Sequence, residues 1–223
     1  MTGDRSLADA EQRRHIGLIG GTFDPIHNAH LAIAEEVRAA LQLQKMVFIP
    51  AGLPPHKANR GNTAIRHRVA MVRLAIATNP HFTISLAEVD RPGPSFLVET
   101  LHILHAQWGP NTALSFVIGW DSLQELPDWY DAPGILAQLT HLIAVGRPGY
   151  VEDQHMDKLE RRLPGLRERL RIVDVPQLAI SSTDLRRRVA EGRPITYLTP
   201  YAVERYIIEH GLYQTQQTQH TER

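Results

Sequence analysis

A short apolar run, Ile16-Gly17-Leu18-Ile19, passes through Gly20-Gly21-Thr22-Phe23-Asp24-Pro25 directly into a helical pattern, and that order leaves few folds open. The run reads as a buried parallel strand, while Leu31, Ile33, Ala34, Val37, Ala40 and Leu41 recur at roughly helical spacing. Two glycines at a strand exit let backbone come close to a ligand. The helix that follows offers unpaired N–H groups and the positive end of its dipole to an anion. His27 and His30, three apart, can face one ligand across a single turn, which suggests phosphoryl or nucleotidyl transfer rather than hydride chemistry. The G-x-G-x-x-G spacing of a dinucleotide fold is absent, and no G-K-[ST] closes a P-loop. A purely structural turn with solvated histidines is the competing reading.

Further along, strand and helix patterns alternate in the manner of a parallel sheet covered on both faces. Strands are expected at His15–Ile19, Met46–Ile49, Phe82–Ser85, Leu114–Ile118, His141–Val145 and Arg171–Val173. Helices are expected at Leu31–Leu41, Ala64–Thr78, Phe96–Gln107, Gly134–Gln138, Ser182–Glu191 and Ala202–His210. The fold class is therefore α/β, a Rossmann-like doubly wound parallel sheet in one domain with a small C-terminal helical part. Residues 15–213 form that domain, 1–14 a flexible polar tail and 214–223 a disordered one. Leu53 to Thr63 reads as a mobile polar loop, and the charge-rich stretch Gly149 to Arg169 as an exposed helical connection. An open sheet of this kind holds its ligand at the carboxyl ends of the strands, near a reversal of strand order.

Composition sets limits. Lys plus Arg and Asp plus Glu number 24 each, so bulk charge suggests neither a nucleic-acid coat nor a membrane surface. There is no cysteine, which excludes disulfides, thiolate catalysis and iron–sulfur ligation. A zinc site would need a third ligand beside the two histidines, so no protein-bound metal is expected. Met1 to Arg14 has no apolar core of a signal peptide, and no apolar run reaches membrane-spanning length; a cytoplasmic protein is expected.

The second phosphate-like segment is Ile180-Ser181-Ser182-Thr183-Asp184-Leu185-Arg186-Arg187-Arg188. Ser181 or Ser182 can cap a helix, Asp184 suits its first turn, and hydroxyls and N–H groups converge where an anion would sit. An ordinary capped surface helix is the alternative for this stretch taken alone.

The first segment resembles the G-G-[ST]-F-D-P-x-H-x-G-H signature of the nucleotidyltransferase superfamily, with Ala29 standing where that family usually has Gly. The second resembles its I-S-S-T-x-[IL]-R motif. Pro54-Pro55-His56-Lys57, Pro94-Ser95-Phe96, Phe116–Leu123, Pro127-Asp128-Trp129-Tyr130, Gly146-Arg147-Pro148-Gly149-Tyr150, Leu198-Thr199-Pro200 and Tyr206–Tyr213 fall in the order found in bacterial nicotinate-mononucleotide adenylyltransferases. The resemblance spans about residues 16 to 213.

It implies adenylyl transfer from ATP, accompanied by Mg²⁺, to nicotinate mononucleotide. His27 and His30 would contact the ATP phosphates, with His30 stabilising the transition state, and Arg186 with Ser181, Ser182 and Thr183 would hold the β- and γ-phosphates. Gly20, Gly21, Thr22 and Phe23 would supply backbone contacts, and Gly119 and Asp121 would meet the ATP ribose, unless Asp121 merely caps a helix opening at Ser122. Trp129 would stack on the pyridine ring, unless it is a core aromatic. Tyr130, Lys57, His56 and Arg147 complete the mononucleotide side, Lys57 facing its phosphate, and backbone N–H groups near Phe96-Leu97 and Trp129-Tyr130 would meet its carboxylate. The expected partners are these two small molecules, without nucleic acid or membrane. Pantetheine-phosphate adenylyltransferases and cytidylyltransferases share both signatures but not the Pro127–Tyr130 and Gly146–Tyr150 segments. A non-catalytic nucleotide sensor would be expected to lose the histidine pair or Arg186.

Overall fold

Six strands run parallel: β1 (Arg14–Gly21), β2 (Lys45–Pro50), β3 (Phe82–Ile84), β4 (Thr112–Gly119), β5 (His141–Gly146) and β6 (Leu170–Asp174). The computed structural model describes residues 14–53, 63–146 and 153–214. The strand order is β3-β2-β1-β4-β5-β6, the doubly wound arrangement expected from the sequence. All six predicted strands are present, each extended by one to three residues except β3, which stops one short.

The inner strands are buried on both faces because they carry apolar residues at successive positions rather than alternate ones, as in Met46–Ile49, Phe116–Ile118 and Leu142–Val145. Ile16 and Leu18, Val47 and Ile49, Phe116 and Ile118, and Leu142 and Ala144 point to one face. There they meet helices α3 (Leu97–Trp108), α5 (Ala132–Gln138), α6 (Asp153–Arg162) and α7 (Leu166–Arg169), together with Leu123 of the short α4 (Trp120–Glu125). Ile19, Met46, Phe48, Val117, Ile143, Val145 and Val173 point to the other face. That face is covered by α1 (Asn28–Ala40), α2 (Ile65–Ile76), α8 (Ser182–Ala190) and α9 (Tyr201–Glu209). Full burial of each such Leu, Ile or Phe contributes about 1.5–3 kcal/mol, so the two cores together dominate the stability.

One expectation and one alternative reading are corrected. The stretch ending at Arg169 is not an exposed connection over its described part: Met156, Leu159, Leu163 and Leu166 are buried, at spacings of three, four and three, against the α3/α5 layer. Its charges occupy the outer face of an amphipathic helix. The alternative in which Asp121 caps a helix opening at Ser122 is not met: the helix starts two residues earlier, at Trp120, with Gly119 as its N-cap.

β1 lies between β2 and β4, and the chain winds outward from it in both directions. The reversal of strand order therefore falls between the carboxyl ends of β1 and β4, where Ile19 is in register with Val117. His56, Lys57 and Arg147, with the Gly146–Tyr150 segment beyond Gly146, lie outside the described residues, as do residues 1–13 and 215–223 of the expected tails.

Candidate active site

From Gly21 the chain leaves β1 through Thr22, a left-handed Phe23 (φ 49°) and a cis Asp24-Pro25 bond, reaching His27 at the N-cap of α1. Phe23 is a core residue: its ring is 2% exposed and packs edge-on against His30 (5.1 Å) and against Phe48 (5.8 Å).

The His27 and His30 rings stack with centroids 3.7 Å apart. His30 Nδ1 accepts the backbone N–H of His27 at 3.2 Å, so the ring proton resides on Nε2, which becomes a donor. Burial lowers the pKa of His27 to about 4. Burial and then the neighbouring His27 charge lower that of His30 to about 3. Both rings are thus neutral at pH 7, and His27 Nδ1 is buried with no hydrogen-bond partner among the described residues.

The second signature is docked on the first. Ser181 caps α8, its hydroxyl accepting the N–H of Asp184 at 3.1 Å. Ser182 Oγ donates to the Pro25 carbonyl (2.8 Å), and Arg186 Nη1 donates to the Asp24 carbonyl (2.7 Å) while Nη2 donates to Thr183 Oγ1 (3.3 Å). Thr199 Oγ1 reaches the Ile26 carbonyl and Asn28 binds the Tyr197 carbonyl, so three carbonyls in a row, Asp24 to Ile26, are held by the C-terminal part of the chain. His27, His30, Thr183 and Arg186 are thereby gathered around one loop.

A cavity of about 500 Å³ opens beside that loop, lined by Gly20, Gly21, Thr22, Ala51, Phe96, Phe116, Trp129 and Tyr130 among others. Its size falls within the range of small-molecule pockets, about 300–1,000 Å³. Trp129 is half-buried: it packs against the α3/α5 core, as the core-aromatic reading has it, and also lines the cavity. Tyr130 stacks on Phe96 with centroids 4.5 Å apart. Gly119 and Asp121 stand exposed at the end of β4 and in the first turn of α4.

Several residues that shape this region gave no clear signal in the sequence. Arg68 of α2 is 2% exposed and donates to the carbonyls of Thr22 and Ala51 (both 2.8 Å), Thr63 (3.1 Å) and Gly52 (3.4 Å), joining the ends of β1 and β2. The only hint was its place on the apolar stripe of α2 with Val72 and Ala75. The Asp24 carboxylate, 3% exposed, accepts from Thr63 N–H (3.0 Å) and from the Tyr213 hydroxyl. Glu88 lines the cavity while only 8% exposed, and burial raises its pKa.

The cytidylyltransferase-like family profile matches residues 18–188. The chain is 52% identical over 198 residues to the probable nicotinate-nucleotide adenylyltransferase of Roseiflexus sp. (strain RS-1), covering 89% of this chain and 97% of that one. The chain belongs to the nicotinate-nucleotide adenylyltransferase family. A second member of that family, from Thermomicrobium roseum, is 46% identical over 200 residues, covering 90% and 92% of the two chains. The Plasmodium falciparum nicotinic acid mononucleotide adenylyltransferase, solved in complex with NaAD, superimposes with a TM-score of 0.69 at 19% identity over 90% of this chain and 97% of its own. At that identity the likeness shows that this chain shares the fold of the Plasmodium enzyme. Among the described residues no helix is long and apolar enough to cross a membrane.

Proposed function

We propose that the chain transfers the adenylyl group of ATP to nicotinate mononucleotide, giving nicotinate adenine dinucleotide and pyrophosphate. The observation that carries this reading is the aromatic-walled cavity opening directly onto Gly20–Thr22, next to the loop that gathers His27, His30 and Arg186. One side suits a flat heteroaromatic ring and the other a polyphosphate, which is the pair of shapes the reaction requires.

The 5′-phosphate oxygen of the mononucleotide forms a bond to the α-phosphorus of ATP, and the bond from that phosphorus to the α–β bridging oxygen breaks, its electron pair leaving with pyrophosphate. The nucleophile is already ionised, so no general base is needed, and positioning plus charge stabilisation supply the catalysis. His30 offers its Nε2–H to the α-phosphate oxygens, with His27 beside it. Arg186, with Ser181, Ser182 and Thr183, holds the β- and γ-phosphates. Because the Ser182 hydroxyl already serves the Pro25 carbonyl, its backbone N–H at the start of α8 is the group that faces phosphate. Backbone of Gly20, Gly21, Thr22 and Phe23 lines the route between the two substrates, and Gly119 and Asp121 take the ATP ribose.

On the acceptor side Trp129 and Tyr130 flank the pyridine ring, and the unpaired N–H groups at the start of α3 meet its carboxylate. Lys57, His56 and Arg147 are assigned to the same substrate from the sequence. Mg²⁺ would arrive with the nucleotide: among the described residues no group of three His, Asp or Glu side chains is placed to hold an ion, and Asp24 is engaged by Thr63 and Tyr213. A cytoplasmic setting, where ATP is generated, accords with these substrates.

Pyrophosphate release from ATP with nicotinate mononucleotide, nicotinamide mononucleotide and phosphopantetheine as acceptors tests the assignment. Release with the first and much less with the others is the expected result; a preference for phosphopantetheine would overturn it.

A further inference from the structure

The described lining of the acceptor cavity has two carboxyl side chains and no cationic one: Asp128, paired with Arg162 (2.5 Å), and Glu88. A buried carboxyl is an unexpected neighbour for an anionic ring substituent, and its hydrogen bonds show what it does instead. Thr100 Oγ1 donates to Glu88 Oε1 at 2.9 Å, and the Ser95 hydroxyl also hydrogen-bonds its carboxyl. Ser95 Oγ is itself the acceptor for Gly52 N–H (3.0 Å), so its own proton is free for Glu88. Where Gly52 passes Glu88 the backbones are close enough that a Cβ on residue 52 would lie 2.1 Å from the Glu88 carbonyl oxygen. One carboxyl thus joins the chain after β2, the loop before α3 and the first turn of α3. Phe96, lying between Ser95 and Thr100, is the residue stacked on Tyr130. Arg91 pairs with Glu99, and its charge also acts on Glu88, whose carboxyl bonds the two hydroxyls.

We infer that Glu88 is a positioning residue for the acceptor: through Ser95 and Thr100 it fixes Phe96 and the N–H groups at the start of α3 against the pyridine ring, and so sets acceptor affinity and ring selectivity. This rests on the adenylyl-transfer reading above. It concerns one half of the site only, since neither the loop that leads to His27 and His30 nor Arg186 of α8 has a hydrogen bond to Ser95, Glu88 or Thr100 among the described residues.

The test is steady-state kinetics of wild type, Glu88→Ala, Glu88→Gln and Thr100→Val, varying ATP and each mononucleotide separately, with thermal melts to confirm folding. Glu88→Ala should lower kcat/KM for nicotinate mononucleotide at least tenfold, mainly through KM, and narrow the ratio between the nicotinate and nicotinamide forms. The KM for ATP should stay within about twofold. Glu88→Gln should recover most of the loss, because its amide oxygen accepts one hydroxyl proton and its N–H₂ donates to the other oxygen, Thr100 turning its own proton to the Phe96 carbonyl 3.2 Å away. Thr100→Val keeps the volume and should reproduce part of the defect if Glu88→Ala fails to fold. Equal rises in both KM values, or a Gln variant as impaired as Ala, would overturn the positioning role while leaving adenylyl transfer intact. A wild-type protein that does not use nicotinate mononucleotide at all would overturn both.

Discussion

The Tyr213 hydroxyl donates to Asp24 Oδ1 at 2.6 Å, joining residues 189 apart in the sequence inside the α2/α9 face of the molecule. Tyr213→Phe removes that donor and leaves a buried carboxylate oxygen without it, a loss of about 1–3 kcal/mol. Urea unfolding should register the drop, and an unchanged midpoint would remove the bond from the stability account. Burial and the bond to Asp24 raise the Tyr213 pKa. Its contribution is therefore complete below the ordinary tyrosine value near about 10 and lost as pH rises further, a dependence the Phe variant should lack.

His27 and His30 titrate in the opposite sense. Their folded pKa values, about 4 and about 3, lie below the ordinary 6.5. The neutral rings favour the folded state fully above pH 6.5, and that contribution declines as pH falls from there toward 4. Unfolding measured at pH 7 and pH 5 should show this slope, reduced in a His30→Asn variant. Inorganic triphosphate, by favouring the cation, should raise the histidine pKa values seen by NMR, and the free protein should show His30 as the Nε2–H tautomer. Observation of the Nδ1–H form would contradict the backbone bond from His27.

Replacing His30 by Ala removes the donor proposed for the α-phosphate, and kcat should fall about 10²-fold or more with a smaller change in ATP affinity, as for loss of one donor to developing charge. A folded variant with near wild-type kcat would take His30 out of the chemistry.

Arg186 uses Nη1 on the Asp24 carbonyl and Nη2 on Thr183, so a lysine cannot reproduce both contacts. Arg186→Ala should raise the KM for ATP, and Arg186→Lys should restore only part of it. A change confined to mononucleotide kinetics would move the assignment of this motif to the other substrate.

Trp129→Ala should raise the acceptor KM more than that of ATP, since the ring lies in the cavity wall with Gly20–Thr22 and Tyr130. Equal effects on both substrates would mean that its packing against the α3/α5 core is its main role.

The sheet and most helices were legible in the sequence because continuous apolar runs and 3.6-residue stripes report burial directly. The loop from Gly20 to His30 and the cap at Ser181 were legible for a similar reason, as each is a local pattern. Arg68 and the bond between Asp24 and Tyr213 were not, because a charged residue on α2 and a tyrosine after α9 acquire their partners only when β1, β2 and α9 converge. Glu88 was hidden in the same way: nothing around Leu86-Ala87-Glu88-Val89 distinguishes a buried carboxyl from a solvated one until Ser95 and Thr100 are folded against it. The stripe of Met156 and Leu159 on α6, continued by Leu163 just after it, was present at the right spacing but obscured by the surrounding charge.

The bond from Ser182 to the Pro25 carbonyl spans 157 residues and makes each signature part of the scaffold of the other. Neither is a binding module that a fragment could carry away. On the adenylyl-transfer reading, a polyphosphate held between α1 and α8 would act as a temporary cross-link between distant parts of the chain, and bound nucleotide should accordingly stabilise the whole fold rather than merely quiet a loop.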